Sequence, residues 1–346
     1  MHERWLIRLL DFCSHHRKSK IGGRKWPGVF GIFALFLGDV SIAGAQQLSK
    51  IPRLGALLYS NPETDPNFAA FRQGLRERGY VEGQNLLIEH YFADQKPERL
   101  PDLAAELVRV KPDLIFALGG DVVPFAQKAT KTIPIVMWVS NDPVEMGFVA
   151  SLARPGGNIT GITLILDELA GKRMALLKEV MPRISRVAVL WNPDHADPEF
   201  REIQREAKAL GVRLKSLEVR RGDNFERQFH NARTERSEAI IVVSSRLMQG
   251  NRQRILEFAA KNRLPVIGDW GRWAPDGALL SYGPDVTAMV SRTAIYVDKI
   301  IKGVKPSDLP VERPTKFELV INLKTAKQIG VTISPNVLAR ADKVIR

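Results

Sequence analysis

Small polar residues follow short apolar runs at repeated points along the chain. Ser60 and Asn61 come after RLGALLY, Gly119, Gly120 and Asp121 after LIFAL, and Ser140 and Asn141 after IVMWV. At the start of a helix such residues leave backbone N–H groups open to an anion, and the helix dipole favours negative charge there by about 0.3–1 kcal/mol at exposed sites. Ser60 and Ser140 add hydroxyl donors. The same residues have a structural alternative, because Ser, Asn and Asp cap helices for about 1 kcal/mol each. Asp121 can also receive an amine or a hydroxyl, or cap the helix that follows it. Asp142, directly before Pro143, reads as a cap ahead of a further helix.

A second series has a different character. Trp191 and Asn192 follow VAVL, Ser244, Ser245 and Arg246 follow AIIVV, Asp269 and Trp270 follow PVIG, and Tyr282 closes a short strand over 278–281. Aromatic walls stack on planar ligands and bury ~150–250 Å² each. Trp270 and Tyr282 are expected at a ligand, whereas Trp191 is equally suited to a core, and Trp273 lies close by. Arg246 and Arg272 have the planar fork that pairs with a carboxylate, and either is also suited to a surface ion pair.

Catalysis finds no footing in these residues. The sequence contains no G-x-S-x-G, H-E-x-x-H, C-x-x-C or P-loop. Gly156 and Gly157 lack the strand context of a dinucleotide fingerprint, so no cofactor is expected. Three of the six histidines fall in the first 45 residues, leaving His90, His195 and His230 scattered, with no metal cluster. His90, inside a strand, reads as a packed residue. The net charge of +13 comes from 51 basic and 38 acidic residues. The basic ones sit beside Glu and Asp on helices such as REIQREAKALGVRLKSLEVRR, the pattern of a solvated face rather than a nucleic-acid patch.

The elements that must position these residues are written twice. Residues 53–139 alternate apolar runs with amphipathic stretches, and residues 187–267 repeat the plan at similar spacing. This pattern predicts an α/β fold of two Rossmann-like lobes with parallel sheets, joined by a hinge and separated by a cleft. In parallel sheets ligands sit beyond the carboxyl ends of the strands, which is where both series lie. The apolar run 159–166 is suited to crossing between lobes, and a helix over 286–302 returns to the first. The first 45 residues have another composition. Arg17, Lys18, Lys20, Arg24 and Lys25 precede GVFGIFALFL and then Ala43-Gly44-Ala45, the layout of a cleavable secretory signal peptide. The apolar run is shorter than the roughly 20 residues that span a bilayer, and an uncleaved anchor is the alternative to a cleaved leader. Cleavage after Ala45 removes the single cysteine, Cys13, and leaves a net charge of +9.

Long motifs then carry a resemblance. GFVASLARPGGNITGIT, DLPVERPTKFELVINLKTAKQIGVTISPNVLARADKVI and FRQGLRERGYVEGQNLLIEHYFAD resemble the ABC-transporter substrate-binding proteins related to the bacterial tryptophan-binding transporter component, over essentially all of 51–346. The resemblance implies a type I periplasmic binding protein with three hinge crossings. Lobe 1 is expected over 51–163 and 283–313, and lobe 2 over 164–282 and 314–346. It implies a periplasmic receptor that captures a small molecule such as an aromatic or hydrophobic amino acid, and the aromatic residues with the helix-start donors extend the class to an aromatic acid. Such a receptor hands its cargo to a permease driven by an ATPase, and meets the membrane only through that permease. A ligand-sensing module for a signalling receptor is the alternative in this fold, with an α/β enzyme behind it. Two departures bear on cargo choice. Gly119-Gly120-Asp121-Val122-Val123 replaces the family's G-T-P-A-A, and Ser244-Ser245-Arg246 replaces an aspartate-containing loop.

Overall fold

The computed structural model describes residues 50–165, 167–195, 198–220 and 225–346. The expected signal peptide over 1–45 lies outside the described residues. The first pass of the pattern folds as β1 (Arg53–Leu58), α1 (Pro66–Arg76), β2 (Leu87–Phe92), α2 (Leu100–Arg109), β3 (Leu114–Leu118), α3 (Val123–Ala129), β4 (Ile135–Val139) and β5 (Ile159–Thr163). These strands form one five-stranded parallel sheet in the order β2-β1-β3-β4-β5. Strands β3 and β4 are buried along their whole length. A strand covered by helices on both faces has no polar side, hence the unbroken apolar runs. Phe68, Phe71 and Leu75 of α1 enter the core, and Phe71 stacks on Phe116 of β3 at 3.9 Å between ring centroids.

The second pass gives α4 (Asp167–Val180), β6 (Arg186–Trp191), α5 (Glu199–Ala209), β7 (Arg213–Glu218), α6 (Phe225–Thr234), β8 (Ala239–Val242), α7 (Arg246–Gly250), α8 (Arg252–Lys261), β9 (Val266–Gly268), α9 (Trp273–Asp276) and β10 (Leu280–Pro284). Helices α10 (Val286–Arg292) and α11 (Ala294–Ile301) then pack back on the first sheet, with Val290, Ala294 and Val297 in one cluster with Leu54, Phe68 and Phe116. The chain ends on the second sheet with β11 (Phe317–Asn322), α12 (Leu323–Ile329), α13 (Pro335–Leu338) and β12 (Lys343–Ile345). That sheet runs β12-β11-β10-β9-β8-β6-β7, with the β10–β11 pair antiparallel and the rest parallel.

Two of the chain segments that lead into the crossings lie side by side at the edge of the first sheet. The Thr163 N–H donates to Glu312 O and the Glu312 N–H to Gly161 O, both at 3.0 Å. The Thr160 hydroxyl donates to Leu309 O at 2.6 Å. Among the described residues no helix is long and apolar enough to cross a membrane.

Two local expectations need correction. No helix follows Asp142-Pro143. Residues 143–147 form turns in which the Asp142 carboxylate accepts the Val144 N–H at 2.7 Å, and Gly147 leaves the helical region at φ +67°. The helix expected over 286–302 divides at Thr293, whose buried hydroxyl bonds back to Val290 O and competes with the helical ladder. Residues 97–99 form a short 3₁₀ turn ahead of α2, which buries Leu100, Ala104 and Leu107 and leaves Leu103 and Val110 half-buried.

Candidate ligand site between the lobes

Members of the two series come together where the lobes face each other, and Arg246 crosses the seam. Arg246, the first residue of α7 in lobe 2, reaches Asp121 at the end of the β3 loop in lobe 1. Its Nε lies 3.1 Å from Oδ2 and 3.4 Å from Oδ1, and Nη2 lies 3.3 Å from Oδ1. Nη2 also donates to Leu118 O at 2.6 Å, and the guanidinium carbon stands 5.0 Å from the centre of the Tyr59 ring. The side chains of Arg246 and Asp121 remain 29% and 34% exposed, so water reaches the pair. Gly119 makes room for it. Its φ is +118°, and a Cβ there would overlap Nη2 of Arg246. Gly120 is similarly confined by Oδ1 of the buried Asn141.

Two further lobe 2 residues pack against the hydrophobic cluster that the first lobe's core shares with Leu164 and Leu169. Trp270 and Tyr282 are half-buried and pack against the cluster built around β1, β3 and α1, and Tyr282 also touches the lobe 2 cluster and stands 6.2 Å from Phe317. Ser60, Asn61 and Ser140 lie half-buried at the ends of β1 and β4. The Asn61 carboxamide accepts the Glu63 N–H at 2.9 Å, and capping of α1 falls to Asp65. Asn141 is tied through its carbonyl to the Thr163 hydroxyl at 2.7 Å. Trp138 Nε1 in β4 and Ser281 Oγ in β10 are among the buried polar atoms without a hydrogen-bond partner.

Beneath the seam, on the lobe 2 side, lies a buried charge cluster. Arg173 of α4 and Glu199 at the start of α5 pair at 2.7 Å with both side chains 0% exposed. Asp269, also 0% exposed, follows β9 and accepts bonds from Gln249 Nε2 and from its neighbour's N–H, Trp270 N. Burial pushes the Glu199 carboxyl up to about 7, with Asp269 adding to the push and Arg173 opposing it. Burial likewise raises Asp269, and Arg173 and the Ser244 hydroxyl oppose that rise. His195, half-buried after β6, is pushed below its ordinary value by burial, while Asp121 and Arg246 act on it in opposite senses.

Several expected site residues take other work. Asp269 is enclosed in this cluster rather than offered at the seam, because its loop turns the carboxylate towards Gln249 and Ser244. Ser244 is buried beside it, and Ser245 caps α7 through the Met248 N–H. Trp191 lies flat on Phe200 at 4.3 Å between centroids and donates to Ser216 Oγ at 2.8 Å, which commits its ring to lobe 2 packing. Asn192 closes its own turn by accepting the Asp194 N–H. Asp121 is no helix cap, since it pairs with Arg246. Arg272 is exposed at the start of α9. Sequence reasoning missed Tyr59 as a site residue, although it stands directly before Ser60 at the end of a recognised strand. Among the described residues no group of three His, Cys, Asp or Glu side chains is placed to hold a metal ion.

The model of the ABC transporter substrate binding protein family matches residues 57–345. The chain belongs to this family. This substrate-binding protein is 26% identical over 278 residues to a tyrosine-binding protein of Clostridioides difficile (strain R20291), covering 79% of each chain. A conserved domain protein of Vibrio cholerae has a TM-score of 0.78 and 27% identity, covering 85% of this chain and all of the other. A Streptococcus pneumonia protein solved with L-Trp has a TM-score of 0.76 and 23% identity, covering 85% and 99%. The substrate-binding protein therefore has the type I periplasmic binding fold of two α/β lobes. Its family captures small molecules outside the cytoplasm for ABC transporters, a receptor's role rather than an enzyme's.

Proposed function

We propose that this substrate-binding protein captures a small planar carboxylate, an aromatic amino acid or aromatic acid, between its two lobes. The observation that carries the reading is the composition of the seam: the partly exposed side chain of Arg246, its guanidinium beside Tyr59, with the aromatic rings of Trp270 and Tyr282 on the cluster that continues into lobe 1. A guanidinium fork suits a carboxylate and aromatic faces suit a planar body. The relatives bearing the names of tyrosine and tryptophan ligands support the same class. The cargo stabilises the closed form and so shifts an open–closed equilibrium. The closed complex is then delivered to a membrane permease coupled to an ATPase. The basic and apolar leader directs the chain to the periplasm and is cleaved after Ala45.

A thermal-shift screen tests the reading, with phenylalanine, tyrosine, tryptophan and benzoate set against sugars and nucleobases. At 100 times its dissociation constant a cargo adds about 2.7 kcal/mol, so aromatic carboxylates should raise the melting temperature by several degrees. Stabilisation by sugars or nucleobases alone would overturn it.

A further inference from the structure

We propose that Arg246 is the cargo-carboxylate receptor of this seam and that Asp121 masks it in the empty protein, so that Asp121 selects for cargo bearing an ammonium group. The proposal rests on the reading of the seam as the cargo site. Asp121 lies along the Nε–Nη2 edge of the guanidinium, the edge a carboxylate uses in a forked pair. Its contacts of 3.1–3.4 Å are longer than the roughly 2.7–2.9 Å of a tight charge-assisted bond. Both partners are solvent-accessible, so an incoming anion can exchange with Asp121 without opening a core.

The guanidinium does not depend on Asp121 for its position. Leu118 O holds Nη2 at 2.6 Å and the Tyr59 ring supports the flat face, so the fork stays aimed after Asp121 leaves it. Displacement has an electrostatic consequence. Asp65 acts on Arg246 together with Asp121, and burial holds His195 towards its neutral form. A cargo without positive charge therefore sets its carboxylate and the displaced Asp121 against each other over one guanidinium. A cargo with an ammonium gives Asp121 a new partner, and every charge remains paired. Asp121 thus disfavours simple acids more than amino acids of the same shape.

Isothermal titration of the full chain, expressed with its own leader, separates these effects. The probes are two matched pairs that differ only in the ammonium group, phenylalanine with hydrocinnamate and leucine with isocaproate. Asp121→Asn should tighten the simple acid by roughly tenfold and leave the amino acid unimproved or weakened. Arg246→Gln should weaken every compound that binds by roughly 30-fold or more, with Arg246→Lys intermediate. Circular dichroism confirms that each variant is folded. If the aromatic pair binds and neither substitution changes it, masking is overturned and the proposed function stands. If only the aliphatic pair binds and shows the Asp121 selectivity, the aromatic reading fails and masking stands. An equal gain for acid and amino acid in Asp121→Asn overturns selection. Absence of binding by all four compounds to wild type and to Asp121→Asn overturns both.

Discussion

Two arginine–carboxylate pairs, both with their arginine in lobe 2, differ in almost everything but chemistry. Arg173 and Glu199 meet at 2.7 Å with neither side chain exposed, whereas Arg246 and Asp121 meet at 3.1 Å with about a third of each exposed. The first pair joins two helices of one lobe and shares its charge with the buried Asp269. The second joins two lobes. A buried pair is costly to create and costlier to break, since removing one partner strands the other's charge in a poor solvent. A wet pair adds little and is given up easily. The protein thus has one ion pair suited to fixing shape and one suited to exchange.

The comparison breaks most directly if the buried arginine is dispensable. Arg173→Leu should lose about 3–5 kcal/mol in urea denaturation, while Arg246→Gln should stay within about 1 kcal/mol of wild type. Equal losses would erase the distinction. The second test uses pH. The folded-state carboxyl of Glu199 sits at about 7 instead of its ordinary 4.5. Between those values the folded state binds the extra proton, so this group's contribution to stability rises as pH falls from about 7 to 4.5 and is lost as pH climbs back through 7. Glu199→Gln should flatten that part of the stability–pH curve, measured as the difference from wild type between the two limits. An unchanged slope would remove Glu199 as its source. The smallest effect concerns the wet pair's surroundings. Gly119→Ala introduces a Cβ at φ +118° and into Arg246, for which we expect about 1–3 kcal/mol and a disturbed seam, read by the melting temperature and by cargo affinity.

Much of this was legible in advance. Unbroken apolar runs located β1, β3, β4, β6 and β8, and the loops after β3 and β8 held Asp121 and Arg246, while Trp270 follows β9 and Tyr282 lies within β10. Partners separated by 125 residues were not legible, because nothing in Ser244-Ser245-Arg246 says what lies across a cleft. From the sequence alone Arg246 and Asp121 are independent candidates for cargo rather than partners of each other. The buried pair left a usable trace. Arg173 stands at helical spacing from Ala170 and Leu177, and Glu199 from Ile203 and Ala207, so both occupy apolar faces where a charge demands a partner. The missing helix after Pro143 and the division at Thr293 were decided by Gly147 and by a hydroxyl's local bond, both weak signals beside a run of helix-compatible residues.

The stitching of the interlobe connectors has a mechanical consequence. Strands tied side by side, as 161–163 and 312 are, bend together but do not slide past one another. Where the chain leaves lobe 1 twice at one place, a change of angle between the lobes disturbs fewer bonds than sliding does. A transporter facing such a molecule need only gauge that angle to tell a loaded carrier from an empty one.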